Sequence, residues 1–187
     1  MELRLNLAMG AILALVWSAG LARDPEPLLA LEDERAGELA ALEDAFARDR
    51  SDPILARRLS EAYLELDRPG LAVAALRSAP ADVLKSPLLT HRLAQAYEAS
   101  GRLMDALATA ELARARCARS LGTTSAAPVT PVPEHGCDMG LEAVLRVHRR
   151  ALEQMTAWGV ADPRRDPRAR LAYDLALRRA RIAATGR

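Results

Sequence analysis

The sequence predicts an all-α protein, and three observations carry that prediction. Half of the 187 residues are apolar, yet Phe, Trp and Tyr together make up 3% of the chain, and the apolar mass is mostly Ala and Leu. These two are the strongest apolar helix formers, whereas strands favour the β-branched and aromatic residues that are scarce here. The second observation is a 34-residue period in the middle of the chain, a length typical of stacked supersecondary units. The third is the placement of Pro53, Pro87 and Pro167 at the heads of Ala- and Leu-rich segments, where a missing N–H costs a helix least.

Residues 1–22, MELRLNLAMGAILALVWSAGLA, read as a targeting segment. Arg4 lies in a short polar start, an apolar run extends from Leu7 through Trp17, and the small residues Ser18, Ala19, Gly20 and Ala22 follow. This is the signal-peptide pattern, with Gly20 and Ala22 acceptable at the −3 and −1 positions and Arg23 as the first mature residue. The run is short for a bilayer span of about 20 residues, so an uncleaved inner-membrane anchor is the alternative. No cysteine follows the run, which excludes lipid attachment there. Residues from 23 onward are therefore expected in an oxidising compartment, periplasmic or secreted, with membrane contact only through residues 1–22.

Residues 23–52 place Leu28, Leu31, Leu39, Leu42 and Phe46 at helical spacing, which predicts one or two packing helices. The repeat follows over residues 53–116. PILARRLSEAYLELDRPGLAVAALRSAP, starting at Pro53, aligns with PLLTHRLAQAYEASGRLMDALATAELAR, starting at Pro87, and 10 of 28 positions are identical. The identities include Leu59/Leu93, Ala62/Ala96, Tyr63/Tyr97, Arg68/Arg102, Ala72/Ala106 and Ala79/Ala113. Leu and Tyr at i and i+4 make an apolar stripe on one helix, and the later Ala lets a second helix approach closely.

This pattern resembles the tetratricopeptide repeat family, whose units are antiparallel helix pairs. Leu59 and Leu93, Tyr63 and Tyr97, Ala72 and Ala106, and Ala79 and Ala113 match positions of its motif. Gly101 matches the turn glycine, where the first unit has Asp67; Ala56 and Thr90 depart from the motif, which often has a large aromatic there. The resemblance implies a short right-handed solenoid and a concave groove lined by first helices. Arg57, Glu61 and Leu64 of one unit and His91, Gln95 and Glu98 of the next would face that groove. It further implies a non-enzymatic scaffold or adaptor that binds a protein or peptide. The basic and Asn set with which some members hold a peptide carboxylate is missing from these positions.

Two units do not bury a solenoid's faces, so the flanks must contribute. Residues 141–187 read as a degenerate third helix pair. Its first helix carries Leu141, Val144, Leu145, His148, Leu152 and Met155 largely on one face and turns at Gly159. Its second starts with Asp166 as N-cap and Pro167 as first residue, with a stripe of Leu171, Leu175 and Ile182, and Ala172 and Ala176 for close contact. His148 on the first stripe is expected to be an ordinary interface residue.

Residues 117–140 form a Pro-rich insertion with no periodicity, a length of loop that calls for a tether or a function. Cys117 and Cys137, the only two cysteines, bracket it. In an exported chain their pairing is the economical expectation, and closing a loop of roughly 20 residues stabilises by about 3 kcal/mol. The alternative reading makes His135, Cys137 and Met139 ligands of a soft metal or a redox centre in an envelope protein. The paired spacings of zinc sites are missing, however, and no metal is expected. No phosphate-binding loop, nucleophile elbow or haem attachment motif occurs, so no cofactor and no enzymatic activity are expected.

The net charge of +1 argues against a nucleic-acid binder. It is unevenly spread: Arg23–Arg50 holds four Arg against nine acids, and residues 141–187 hold eleven Arg against five acids. Such asymmetry suits solvated helix faces and can also steer a charged partner. Arg164, Arg165, Arg168 and Arg170 would offer an acidic partner or lipid headgroups a basic surface.

Overall fold

Asp and Pro mark where the helices start. In the computed structural model, residues 33–124 and 137–185 are described; the expected targeting segment, Leu28, Leu31 and His135 lie outside them. The helices are α1 (Asp33–Arg48), α2 (Pro53–Glu65), α3 (Pro69–Ser78), α4 (Pro87–Ala99), α5 (Leu103–Thr124), α6 (Met139–Ala157) and α7 (Pro167–Thr185), with a single 3-10 turn at Val83–Lys85 between α3 and α4. The fold is all-α, with no strand among the described residues. Asp52 caps α2 by accepting from the backbone N–H of Ile54 at 2.7 Å. Asp138 does the same for α6 through Leu141 at 2.6 Å, and Asp166 for α7 through Arg168 at 2.9 Å. Each satisfies a donor that the first helical turn leaves without a partner.

Residues Ala41–Arg187 form one compact unit, and Met1–Ala40 are a separate one. Within the larger unit successive helices pack on one another from α2 through α7, and α2 also packs on α4. The turns that join α2 to α3, α4 to α5 and α6 to α7 share one geometry. Asp67, Gly101 and Gly159 all adopt positive φ, at 55°, 73° and 64°. Behind each, a backbone N–H reaches five residues back: Arg68 to Tyr63 at 2.8 Å, Arg102 to Tyr97 at 2.9 Å and Val160 to Met155 at 3.0 Å. This pairing at a helix C-terminus is the Schellman motif, which satisfies carbonyls that the last turn leaves open. Met155 thus stands where the repeats have Tyr63 and Tyr97, a correspondence the sequence alone does not show.

The core follows the small-residue logic of the repeat. Ala72 and Ala106, and Ala79 and Ala113, are buried, as are Leu59, Tyr63, Tyr97, Leu76 and Leu89. On α6 the buried stripe is Leu145, His148, Ala151, Leu152 and Met155, while Val144 is exposed. Two sequence expectations are corrected. α5 does not give way to loop at Cys117 but continues through Thr124, because Leu121 still packs on the cluster around the cysteines. α7 buries Ala172 and Ala176, the two residues expected to make close contact, together with Ala169, whereas of the expected stripe Leu175 is half-buried and Leu171 and Ile182 are 50% and 70% exposed. Three small residues on one face let two helix backbones approach more closely than leucines would allow.

Candidate functional site

A chain of polar side chains runs through the junction of α4, α6 and α7. His91, in the second turn of α4, and His148, in the middle of α6, are 4% and 3% exposed. His91 Nε2 lies 2.9 Å from His148 Nδ1. His148 Nε2 lies 2.9 Å from Glu98 Oε2 in the last turn of α4. Tyr173 of α7 donates its hydroxyl to both carboxylate oxygens of Glu98, at 2.9 and 2.8 Å. The rings are ordered as well: His91 meets His148 edge-on at a centroid distance of 4.9 Å, and His148 lies nearly parallel to Tyr173 at 6.2 Å.

Hydrogen-bond chemistry fixes where protons sit. Both oxygens of Glu98 accept from Tyr173, so His148 Nε2 carries a proton and donates it to Glu98. Between His148 Nδ1 and His91 Nε2 there is then room for one proton, held by either ring. Burial, first, and then the adjacent His148 and Arg92 push the pKa of His91 down to about 3. Burial and the Glu98 carboxylate push that of Tyr173 far up, so its hydroxyl stays a donor at any ordinary pH. The set fixes Tyr173 as a donor and Glu98 as an acceptor.

The six residues expected to line a groove divide between two environments. Arg57, Glu61, Leu64 and Gln95 are half-buried. Glu61 accepts from Arg92 at 2.5 Å and from Arg57 at 3.3 Å, and Arg92 also donates to Gln95 at 3.0 Å. His91 and Glu98 instead turn into the junction with α6 and α7, so the third helix pair covers them. Cys117 and Cys137 form a disulfide with Cα atoms 5.0 Å apart, buried in a cluster with Ala113 and Leu145. Met139 is 83% exposed, and among the described residues no three His, Cys, Asp or Glu side chains converge as metal ligands. A shallow cleft of about 380 Å³, lined by Glu43, Phe46, Leu59, Tyr63 and Leu71 among others, opens beside α2 and α3.

In sequence His148 looks like one more interface residue, and its contact with His91 is not visible there, because 57 residues and the insertion separate them. The available signal was a histidine inside an otherwise apolar stripe, facing a helix that carries His91 and Glu98 at i and i+7. The fold and site define an all-α protein of successive helix pairs with a buried histidine–carboxylate–tyrosine chain at its last junction. Comparison with protein-family models, curated proteins and solved structures gives no match.

Proposed function

We propose that the chain is an exported, non-enzymatic helical-repeat scaffold, similar to tetratricopeptide repeat proteins, that binds a protein or peptide partner in the cell envelope. The observation that carries this reading is the turn geometry. The same left-handed residue and the same five-residue back-bond recur at Asp67, Gly101 and Gly159, the third of them where no sequence period is visible. In this reading residues 53–116 are two repeats, 117–140 an insertion and 141–187 a third unit. A short right-handed solenoid of this kind presents Arg57, Glu61, Leu64 and Gln95 as its partner surface. The disulfide between the only two cysteines supports a periplasmic or secreted location, since such bonds persist in oxidising compartments. Residues 1–22 then serve as the signal peptide, or as an inner-membrane anchor. Against the alternative, a redox or metal-handling protein using His135, Cys137 and Met139, stands the bonding of Cys137, which leaves no thiolate for a metal in the oxidised protein.

The test is cross-linking followed by pull-down from the native envelope, with wild type beside an Arg57→Ala/Gln95→Ala variant. A partner recovered by the wild type and lost by the variant supports the reading. Recovery of no partner, or recovery indifferent to both substitutions, overturns it.

A further inference from the structure

We propose that the His91–His148 contact is an acid-released latch, which holds the α6–α7 pair against α4 at neutral pH and lets it swing away on acidification while the Cys117–Cys137 bond keeps it tethered. This goes beyond partner binding and does not depend on it.

One proton fits between His91 Nε2 and His148 Nδ1, at 2.9 Å, and Glu98 sits against the far nitrogen of His148. A single positive charge on the histidine pair is therefore balanced by one carboxylate. A second charge has no balance. The groups that face the contact are His91, Arg92 and Glu98 from α4, His148 from α6 and Tyr173 from α7. Arg92 is a further cation, itself paired with Glu61 of α2. α5 turns Ala106, Ala110 and Ala113 to the core, so it supplies no acid. Two facing imidazolium rings at 3% and 4% exposure repel in a medium that screens poorly.

The location makes the repulsion mechanical. The latch joins the middle of α6 to α4, whereas Cys137, just ahead of α6, is bonded to Cys117 on α5. Opening at the histidines leaves a fixed point at one end of α6 and frees its other end with α7. The sign follows from linkage. His91 resists protonation while buried and takes up a proton near its ordinary value of about 6.5 once exposed. Below that pH the open form binds more protons than the closed one, so acid favours opening. With one extra proton bound, the open-to-closed ratio rises about tenfold for each pH unit below 6.5 until the closed form itself titrates. Opening would uncover His91 and Glu98 on α4.

The experiment is hydrogen exchange on the intact, oxidised full chain between pH 7.5 and 4.5, corrected for intrinsic exchange rates. Protection in α6 and α7 is expected to fall about tenfold per pH unit below 6.5, while α2 and α3 hold theirs. A His91→Gln/His148→Gln variant should lose this pH dependence. Glu98→Gln, which keeps the shape but removes the balancing charge, should move the onset to higher pH. Side-chain NMR of the wild-type histidines gives a check that needs no variant: one imidazole should titrate only in step with the loss of α6–α7 protection. Loss of protection in all helices at one common pH, a pH dependence that survives in the double variant, or titration of both His91 and His148 while α6–α7 stays protected would overturn the proposal.

Discussion

The two junctions between successive helix pairs occupy equivalent places and solve the same problem in opposite ways. A 34-residue shift carries Arg57, Glu61 and Leu64 onto His91, Gln95 and Glu98. At the first junction Arg57 and Glu61 form a solvated ionic cluster with Arg92 and Gln95 of α4, and its ion-pair side chains are 25–40% exposed. At the second, His91 and Glu98 form a buried, neutral-or-singly-charged chain through His148 to Tyr173. Equivalent positions of the repeat thus leave the polarity of a junction open, and burial decides its energetics. Exposed pairs contribute about 0–1 kcal/mol and fade with salt. A buried chain has little net worth as a whole, yet losing one member strands the others without water.

Truncating the shared acid of each junction should give the largest contrast. Glu98→Ala leaves the His148 N–H and the Tyr173 hydroxyl buried without an acceptor, at a cost of about 3–5 kcal/mol. Glu61→Ala releases Arg57 and Arg92 to water and should cost less than about 1 kcal/mol, shrinking further at high salt. Urea denaturation of both variants reads the two numbers; comparable costs would erase the distinction between the junctions.

The second junction also has a covalent support that the first lacks. Replacing Cys117 and Cys137 by Ser, or reducing the bond, should lower stability by about 3 kcal/mol on loop-closure grounds. The Cys117→Ser/Cys137→Ser protein should therefore melt lower than the oxidised wild type and should not respond to added reductant. An unchanged melting temperature would mean that the apolar cluster of Ala113, Leu145, Leu121 and Leu141 holds the segment without the bond.

Gly101 is left-handed, and a Cβ there would lie 3.3 Å from the carbonyl oxygen of Ala161, in the link between α6 and α7. Gly101→Ala is expected to cost about 1–2 kcal/mol from backbone strain alone, with crowding against that link added. A thermal melt within experimental error of wild type would show that this turn is not held in its left-handed form.

These effects indicate which parts of the molecule the sequence made legible. The helices were readable because Ala and Leu periodicity, Pro53, Pro87 and Pro167 at helix starts, and Asp166 as a cap are all local signals. The disulfide was readable by counting, since two cysteines permit one pair. The site was not, because a histidine at 91 and another at 148 carry no mutual signal until folding brings α6 onto α4. The α7 stripe misled for a related reason. Leu171 and Ile182 are the larger apolar residues but stay exposed, while the close contact expected of Ala172 and Ala176 forms and Ala169 joins it, since pattern alone does not weigh area against distance. α5 outran its expected end because Leu121 found a packing partner across the insertion, again a contact from outside the local sequence.

An alkaline titration separates the first unit from the second junction. Tyr63 donates to Glu43 of α1 at 2.7 Å, and burial, with the Glu43 carboxylate beside it, pushes its pKa up to about 12. A raised folded-state value means that the stabilisation is fully present below the ordinary tyrosine value of about 10 and is lost as pH rises toward 12. Tyr63→Phe should cost about 1 kcal/mol at neutral pH, the usual worth of such a bond, and should flatten the decline between pH 10 and 12. A decline of unchanged slope in the variant would assign the alkaline sensitivity to another group.

The smallest effect compares the two repeat turns themselves. Asp67 is the non-glycine residue among the three left-handed turn positions, a conformation that Asp tolerates but that still strains an L-residue by about 1 kcal/mol. Glycine at this position would remove the strain, which favours Asp67→Gly. Against it stands the loss of the Arg164 contact at 2.6 Å. That pair is solvent-exposed, and such pairs contribute between nothing and about 1 kcal/mol. The two terms therefore nearly cancel, with a net gain of up to about 1 kcal/mol expected at high salt, where the ion pair is screened and the backbone term is not. Denaturation midpoints of wild type and Asp67→Gly at low and high salt resolve the two contributions. A variant that is less stable at both would mean that Asp67 serves the turn through its tie to Arg164 and the α6–α7 link rather than standing in for a missing glycine.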